Sequence, residues 1–261
     1  MKAPQEILSV WKKFDDFPME TFTKAWFYSK AEGKRQRSVA LMKKHRIQYG
    51  ISGNCFDLAF WLLDEFTKAG IKAYPVGHAL NTEDAHVGLV AEDASGKRYL
   101  CDLGDLWLQP ILIDENSKEF TKERLAGFFP AAEVQVLPKQ NEVEIVYHRP
   151  NGKQSRQSYE TEPVAMDYFM EAAEFSQNHV YPKPLFEKRV PYENEIAHWE
   201  FDDWESKLST SKGLFPEEPL STIEEWAERI RERTGADKEF LIETLKIYDK
   251  MDHIQEKSED G

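Results

Sequence analysis

The stretches Gly53-Asn54-Cys55-Phe56-Asp57-Leu58 and Tyr99-Leu100-Cys101-Asp102-Leu103-Gly104, with Asp84-Ala85-His86-Val87-Gly88-Leu89-Val90 between them, decide how this chain is read. After Cys55, apolar residues recur at Leu58, Ala59, Leu62, Leu63, Phe66 and Ala69, a helical spacing that Gly70 closes. Ser52 and Asn54 are good N-caps for such a helix. Cys55 is therefore expected in a first helical turn, where backbone N–H groups lack intrahelical acceptors and the dipole is positive. Both features favour a thiolate, the nucleophilic form of cysteine. Gly53 lets the backbone approach a substrate closely. By itself, a free cysteine is more often a small buried hydrophobe than a nucleophile. Its partners change that balance.

Residues 87–92 and 97–103 read as strands, and Asp93-Ala94-Ser95-Gly96 as the turn between them. A hairpin centred near residue 94 makes His86 and Asp102 cross-strand neighbours on one face, within hydrogen-bond reach. A slip of one residue would turn them to opposite faces. An aspartate on an imidazole fixes its tautomer and supports the imidazolium, and the imidazole deprotonates a cysteine. Cys55, His86 and Asp102 are thus expected to form one catalytic triad. His78 is a rival histidine, but it lacks a partner at hairpin spacing.

The flanks supply the rest of the architecture. Residues 1–50 read as helical, with apolar groups at Ile7, Val10, Trp11 and Phe14, at Phe22, Trp26 and Phe27, and at Val39, Leu41 and Met42. Lys34-Arg35-Gln36-Arg37 reads as a solvated charge run, although it could meet nucleotide phosphates. Residues 72–160 are strand-rich, with Pro75 marking an edge strand and Pro150-Asn151-Gly152-Lys153 a hairpin turn. Several antiparallel strands with short turns point to a barrel or curled sheet. Residues 163–176 read as a helix, residues 186–190 and 195–201 as short strands, and residues 239–251 as a last helix. Ser221-Thr222-Ile223-Glu224 offers a capping box to a helix whose Ile223, Trp226, Ala227 and Ile230 stripe is expected to be core. The polar tail from Gln255 to Gly261 is expected to fray.

Composition bounds the function. The 261 residues can bury a sizeable core, and 41% hydrophobic with 13% aromatic content is globular. A net charge of −13 argues against general binding to nucleic acid or anionic membranes. The two cysteines, Cys55 and Cys101, give no disulfide framework and imply a reducing compartment. No apolar leader follows Met1-Lys2-Ala3-Pro4 and no run approaches a membrane span, so a cytoplasmic protein is expected. There is no Cys-x-x-Cys, His-Glu-x-x-His, EF-hand, P-loop or Gly-x-Gly-x-x-Gly motif, so no metal is expected. Any cofactor should arrive as a substrate.

The order Cys, His, Asp, with the cysteine on a helix and the other two on a sheet, fits thiol-based acyl transfer. It resembles the arylamine N-acetyltransferases, whose signature is a Gly-x-Cys-Phe/Leu helix start, a histidine opening a strand and an Asp-Val-Gly segment closing the next. Here these are Gly53-Asn54-Cys55-Phe56, His86-Val87-Gly88-Leu89 and Asp102-Leu103-Gly104. The segment from Ser176 to Phe186 and the helical stretch from Ile223 to Gly235 extend the likeness over most of the chain. The resemblance implies an α+β fold: an N-terminal helical bundle (residues 1–71) carrying Cys55, a central antiparallel β-barrel (72–185) carrying His86 and Asp102, and a C-terminal α/β lid (186–261). It implies ping-pong transfer of an acetyl group from acetyl-coenzyme A, a co-substrate rather than a bound cofactor, through a Cys55 thioester to an arylamine, hydroxylamine or related amine. The backbone N–H of Cys55, with that of Leu103, would hold the oxyanion.

Departures from the family pattern fall around the nucleophile. Tyr49-Gly50-Ile51-Ser52-Gly53 stands where the family has Arg-Gly-Gly, and Asp57 and Ala59 where it has Glu or Gln and then Asn. Asp105-Leu106-Trp107 follows the Asp102 motif where the family has Phe-Gly, and no Pro-Phe-Glu-Asn segment occurs near the N-terminus. Asp57, Asp105 and Trp107 are accordingly expected to bind substrate, in a pocket unlike that of a typical member. A transglutaminase-like cysteine hydrolase or amidase would use the same triad, and a non-catalytic binding relative would not need it. Both stay open on the sequence.

Overall fold

The computed structural model describes residues 1–30 and 32–259, with side chains through Asp252. In chain order the N-terminal part holds α1 (Gln5–Trp11), a single 3-10 turn, β1 (Met19–Glu20), α2 (Phe22–Tyr28), α3 (Val39–Tyr49) and α4 (Cys55–Lys68). Eight strands follow: β2 (Ala73–His78), β3 (His86–Glu92), β4 (Arg98–Cys101), β5 (Ile111–Leu112), β6 (Leu125–Phe129), β7 (Ala132–Pro138), β8 (Glu142–His148) and β9 (Gln154–Glu160). They form an antiparallel, nearly closed barrel in the order β5-β4-β3-β2-β9-β8-β7-β6. After α5 (Met166–Asn178) come β10 (Leu185–Tyr192), β11 (Glu195–Asp202), β12 (Glu205–Thr210) and β13 (Gly213–Pro216), then α6 (Ile223–Thr234) and α7 (Lys238–Glu259). The fold is α+β, as the sequence implies. No helix among the described residues is long and apolar enough to cross a membrane.

Two cores hold it together. In the first, Phe56, Leu58, Ala59, Trp61, Leu62 and Phe66 of α4 pack with Val76, Val87, Leu89 and Val90 of the barrel and Phe169 of α5. Apolar positions on so wide an arc let α4 bury against α1, α3 and the barrel together. The second core joins Trp199 and Phe201 of the C-terminal sheet to Trp226, Ala227 and Ile230 of α6, the stripe expected to be core. Phe22 and Trp26 of α2 belong to this second core, and β1 pairs with β10 at the edge of the C-terminal sheet. The N-terminal segment is thus divided between the two cores.

The β3–β4 register differs from the sequence expectation. Cys101 pairs with Leu89, two residues from the Val87 partner that a turn centred on residue 94 would give. The turn chemistry explains it. The Asp93 carboxylate accepts the N–H groups of Ser95 and Lys97 at 2.8 and 3.0 Å, and Gly96 takes the left-handed conformation at φ +83°. This closes a three-residue loop centred on Ser95. A displacement of two leaves every side chain on its original face. Three further differences are local. β2 lies inside the barrel rather than at an edge, but it meets β9 only at Gly77, so Pro75 removes no ladder bond there. The cap of α6 is Thr222 with Glu225, one residue on from the expected box. The last helix runs to Glu259, and of the tail expected to fray, residues 260 and 261 lie outside the described residues.

What fixes the start of α4 is a buried polar network. Asn54 and Asp57 form its capping box. Asp57 also meets the Arg37 guanidinium at 3.0 Å, with both side chains no more than 2% exposed. Gln36 donates to Asp57 at 2.9 Å, Arg37 to the Ser52 carbonyl at 2.9 Å, and Gln177 of α5 to Asn54 at 3.2 Å. The Gly53 N–H donates to the buried Glu20 carboxylate at 2.6 Å. Half of the run read as solvated, Gln36 and Arg37, therefore turns inward, because a carboxylate buried at a helix start requires a counter-charge. Gly53 has φ +102°, and a Cβ there would lie 2.0 Å from Asp57 Oδ2, so only glycine fits. Replacing Arg37 by methionine leaves the Asp57 charge buried and unpaired; urea unfolding should show a loss of about 3–5 kcal/mol. A loss well below 1 kcal/mol would remove the pair from the scaffold.

Candidate active site

Three separate elements meet at the site. Cys55 opens α4, His86 opens β3, and Asp102 follows the last residue of β4. His86 Nε2 lies 2.6 Å from Asp102 Oδ2. Gly88 sits beside Asp102, where a Cβ would be 3.7 Å from the aspartate's own, and the carboxylate reaches diagonally past it to His86. The Cys55 sulfur lies close enough to the His86 ring to help hold it in its charged form. The structure thus brings all three expected residues together. Cys55 is half-buried and the His86 side chain is 22% exposed, whereas Asp102 is fully buried.

Asp102 is held from three sides: His86, the Tyr159 hydroxyl that donates to Oδ2, and the Asp105 N–H that donates to Oδ1 at 3.0 Å. Burial would push the His86 imidazolium down, but the Asp102 charge, its hydrogen bond and the Cys55 sulfur outweigh this and hold His86 well above its ordinary value. Burial and the Asp102 charge push the Tyr159 hydroxyl upward, so it remains a donor. Gly104 joins the aspartate loop to Cys55. A Cβ at this position would lie 2.6 Å from Cys55 Cβ and 3.2 Å from Asp102 Oδ1. The same loop holds Leu106 at φ +54°, an uncommon conformation for leucine.

The residues expected to bind substrate lie elsewhere than on an open cleft wall. Asp57 is 1% exposed and engaged by Arg37, Gln36 and Asn54, and Trp107 is 0% exposed with its indole N–H on Asp105 and the Tyr147 hydroxyl. Both side chains are thus turned to partners within the protein rather than to an open cleft. Asp105 is half-buried three residues beyond Asp102 and accepts from Trp107 at 3.1 Å and from Tyr147. Burial, reinforced by the Asp102 charge, pushes its carboxyl up to about 6. His78 pairs with His86 across the strands but is exposed. Cys101 is 1% exposed, and burial pushes its thiol upward.

Sequence reading missed Tyr159, Tyr147 and Lys24. The tyrosines reach the site only because the barrel nearly closes, and no local spacing signals that. Lys24 stands on α2; burial pushes its ammonium down to about 8, against the opposing charges of Cys55 and Asp57. A cavity of about 690 Å³ is lined by Leu108, Phe129, His148, Arg149 and Ile196 among others, and by none of Cys55, His86 and Asp102. The site is therefore assigned by side-chain geometry, not by cavity size.

No protein-family model matches the chain, and no curated protein matches it in sequence. Solved structures do. An arylamine N-acetyltransferase from Mycobacterium smegmatis superposes with a TM-score of 0.69 over 93% of this chain and 92% of its own, at 13% identity. The Nocardia farcinica arylamine N-acetyltransferase gives 0.71 over 92% and 88%, also at 13% identity. The chain has the arylamine N-acetyltransferase fold. A third structure of that fold, the Mycobacterium marinum enzyme in complex with CoA, matches with a TM-score of 0.69 at 10% identity, over 91% of this chain and 90% of its own. At such identities the likeness concerns the N-acetyltransferase fold alone.

Two measurements follow from the geometry. Iodoacetamide at neutral pH should label Cys55 and leave Cys101 unlabelled until the protein is unfolded; faster labelling of Cys101 would reverse the roles. Asp105, ordinarily near 3.8, titrates higher in the folded state, so its contribution to stability is full below about pH 4 and is lost as pH rises through about 6. Asp105→Asn, which keeps an oxygen for Trp107 and Tyr147, should gain stability relative to the wild type as pH rises over that window. Parallel Tm-versus-pH curves for the two proteins would show that Asp105 is not so perturbed.

Proposed function

We propose that the protein is an acyltransferase that carries an acetyl group from acetyl-coenzyme A, through a Cys55 thioester, to an arylamine, hydroxylamine or related amine. The observation that carries this reading is the continuous chain from a helix-start thiol to His86 to the buried Asp102. The N-acetyltransferase fold around that chain supports it, and so does a structure of this fold solved with CoA.

In this mechanism His86 takes the Cys55 proton, and Asp102 stabilises the resulting imidazolium. The thiolate attacks the acetyl carbonyl, and the negative oxygen meets N–H groups at the start of α4, which lack intrahelical acceptors. Coenzyme A leaves with the proton from His86. The amine then attacks the Cys55 thioester, His86 accepts its proton, and the sulfur is released. Water outside and a nucleophilic amine inside compete for the same thioester, so the accessible edge of the Cys55–His86 pair decides between transfer and hydrolysis. Tyr159 and the Asp105 N–H keep Asp102 oriented throughout.

Incubation with acetyl-coenzyme A should add one acetyl group to the intact protein, with release of coenzyme A, and Cys55→Ser should abolish the stable adduct. Adding an arylamine should discharge it as the N-acetyl product. Absence of any adduct, or discharge to acetate at the same rate with and without amine, would refute transfer. Asp102→Asn should keep the fold and slow acylation by roughly 10⁴, the scale of the comparable change in a serine protease. Near-normal acylation in that variant would remove Asp102 from the triad.

A further inference from the structure

The C-terminal sheet carries a cluster that the acyl-transfer chemistry does not use. Glu187 on β10 pairs directly with Glu200 on β11, and His198 lies two residues before Glu200, so all three side chains share one face. One ligand atom from each lies within 4.8 Å of the others. Small rotamer adjustments close that span onto an ion with ligands at about 2.0–2.2 Å. His198 is only 6% exposed, and its Nε2 makes no hydrogen bond. Glu187 Oε1 is 2.9 Å from that nitrogen but off the direction a hydrogen bond requires. The buried imidazole is thus engaged by charge, through its ion pair with Glu187, while its ring nitrogen lacks a well-directed hydrogen bond, and a metal ion would satisfy that nitrogen and both carboxylates together.

We propose that Glu187, His198 and Glu200 bind one divalent transition-metal ion of the Zn²⁺ type. One imidazole with two carboxylates suits Zn²⁺, Co²⁺ or Mn²⁺ better than Ca²⁺ or Mg²⁺, which take oxygen ligands. Three protein ligands leave a position for water. The ion has an entry path, because Glu200 and Lys207 line a cavity of about 350 Å³ between the sheet and residues 149–153. Four cations stand nearby: Arg149, Lys153 and Lys207 line that cavity, and Arg189 lies on β10. Lys207 Nζ lies 2.7 Å from Glu200 Oε1, but its side chain is 33% exposed and can swing into that cavity. Arg189, across from His198 in register, is committed to the carbonyls of Trp107 and Phe14. The ion would tie β10 to β11 beside Phe129, whose ring lies 6.1 Å from His198 and 4.8 Å from Tyr147, the donor to Asp105. The site would thus brace the barrel wall behind the triad loop.

The test uses the full chain in a Cys55→Ser background, which removes the thiol as a competing ligand. Chelator-treated protein is titrated with Co²⁺ near neutral pH and followed by visible absorption, with thermal melting in chelator as the check on folding. Saturable binding of one Co²⁺, displaced by Zn²⁺, is expected. Glu200→Gln, on the cavity wall, and His198→Gln should each weaken it at least tenfold, since even loss of a partner behind a ligand costs about 10–100-fold. If His198→Gln does not fold, Glu187→Gln and Glu200→Gln decide. No saturable binding in the parent, or unchanged affinity in folded Glu187 and Glu200 variants, would overturn the site.

Discussion

Two carboxylates stand on either side of Cys55 and are almost wholly removed from water: Asp57 at 1% exposure and Asp102 at 0%. A buried charge is tolerated only where partners replace its hydration. That requirement organises the surroundings. Asp57 draws in Arg37, Gln36 and Asn54, and so ties α3's approach and the Gly53 turn to the start of α4. Asp102 draws in His86, Tyr159 and the Asp105 N–H, and so ties β3, β9 and the loop after β4 together. Cys55 stands where the two sets meet, with Gly104 allowing the aspartate loop to lie against it.

This division assigns different work to the two cores. The first core places α4 against β2 and β3, and thereby sets the thiol against the imidazole. The second core binds α2 and β1 to the C-terminal sheet and α7. Glu20, on β1, accepts the N–H of Gly53, so the C-terminal sheet reaches to within two residues of Cys55. Changes in the C-terminal region can therefore reach Cys55 through backbone geometry without touching substrate. Arg189, reaching from β10 to the carbonyls of Trp107 and Phe14, makes a second such link to the aspartate loop.

Around His86 and Asp102 the ionisable groups are graded by burial. His86 keeps a proton readily because a fully buried aspartate faces it, and Tyr159 remains a donor because the same charge opposes its ionisation. Asp105, three residues on, is denied an equal share of partners and is pushed upward. One carboxylate is thus held ready to orient the imidazole, and its neighbour is drawn toward neutrality, so that two full negative charges need not stand side by side.

The sequence by itself determined the local elements around the candidate site: a capped amphipathic helix opening at Cys55, and a hairpin whose parity puts His86 and Asp102 on one face. These follow from spacing and turn residues, which act over a few positions. The two-residue register shift shows the limit even there, because the Asp93 side chain, not the strand pattern, set the loop length. Tertiary structure alone decided the rest. Asp57 and Trp107 were legible as residues beside the site, but their burial depends on Arg37, Tyr147 and Gln177 arriving from distant segments. Tyr159 sits 57 residues from Asp102, and only closure of the barrel brings them together. The Glu187, His198 and Glu200 cluster has no motif spacing either, since strand pairing across β10 and β11 creates it. Local periodicity records what neighbours along the chain require, whereas long-range pairing is written in the packing of the whole.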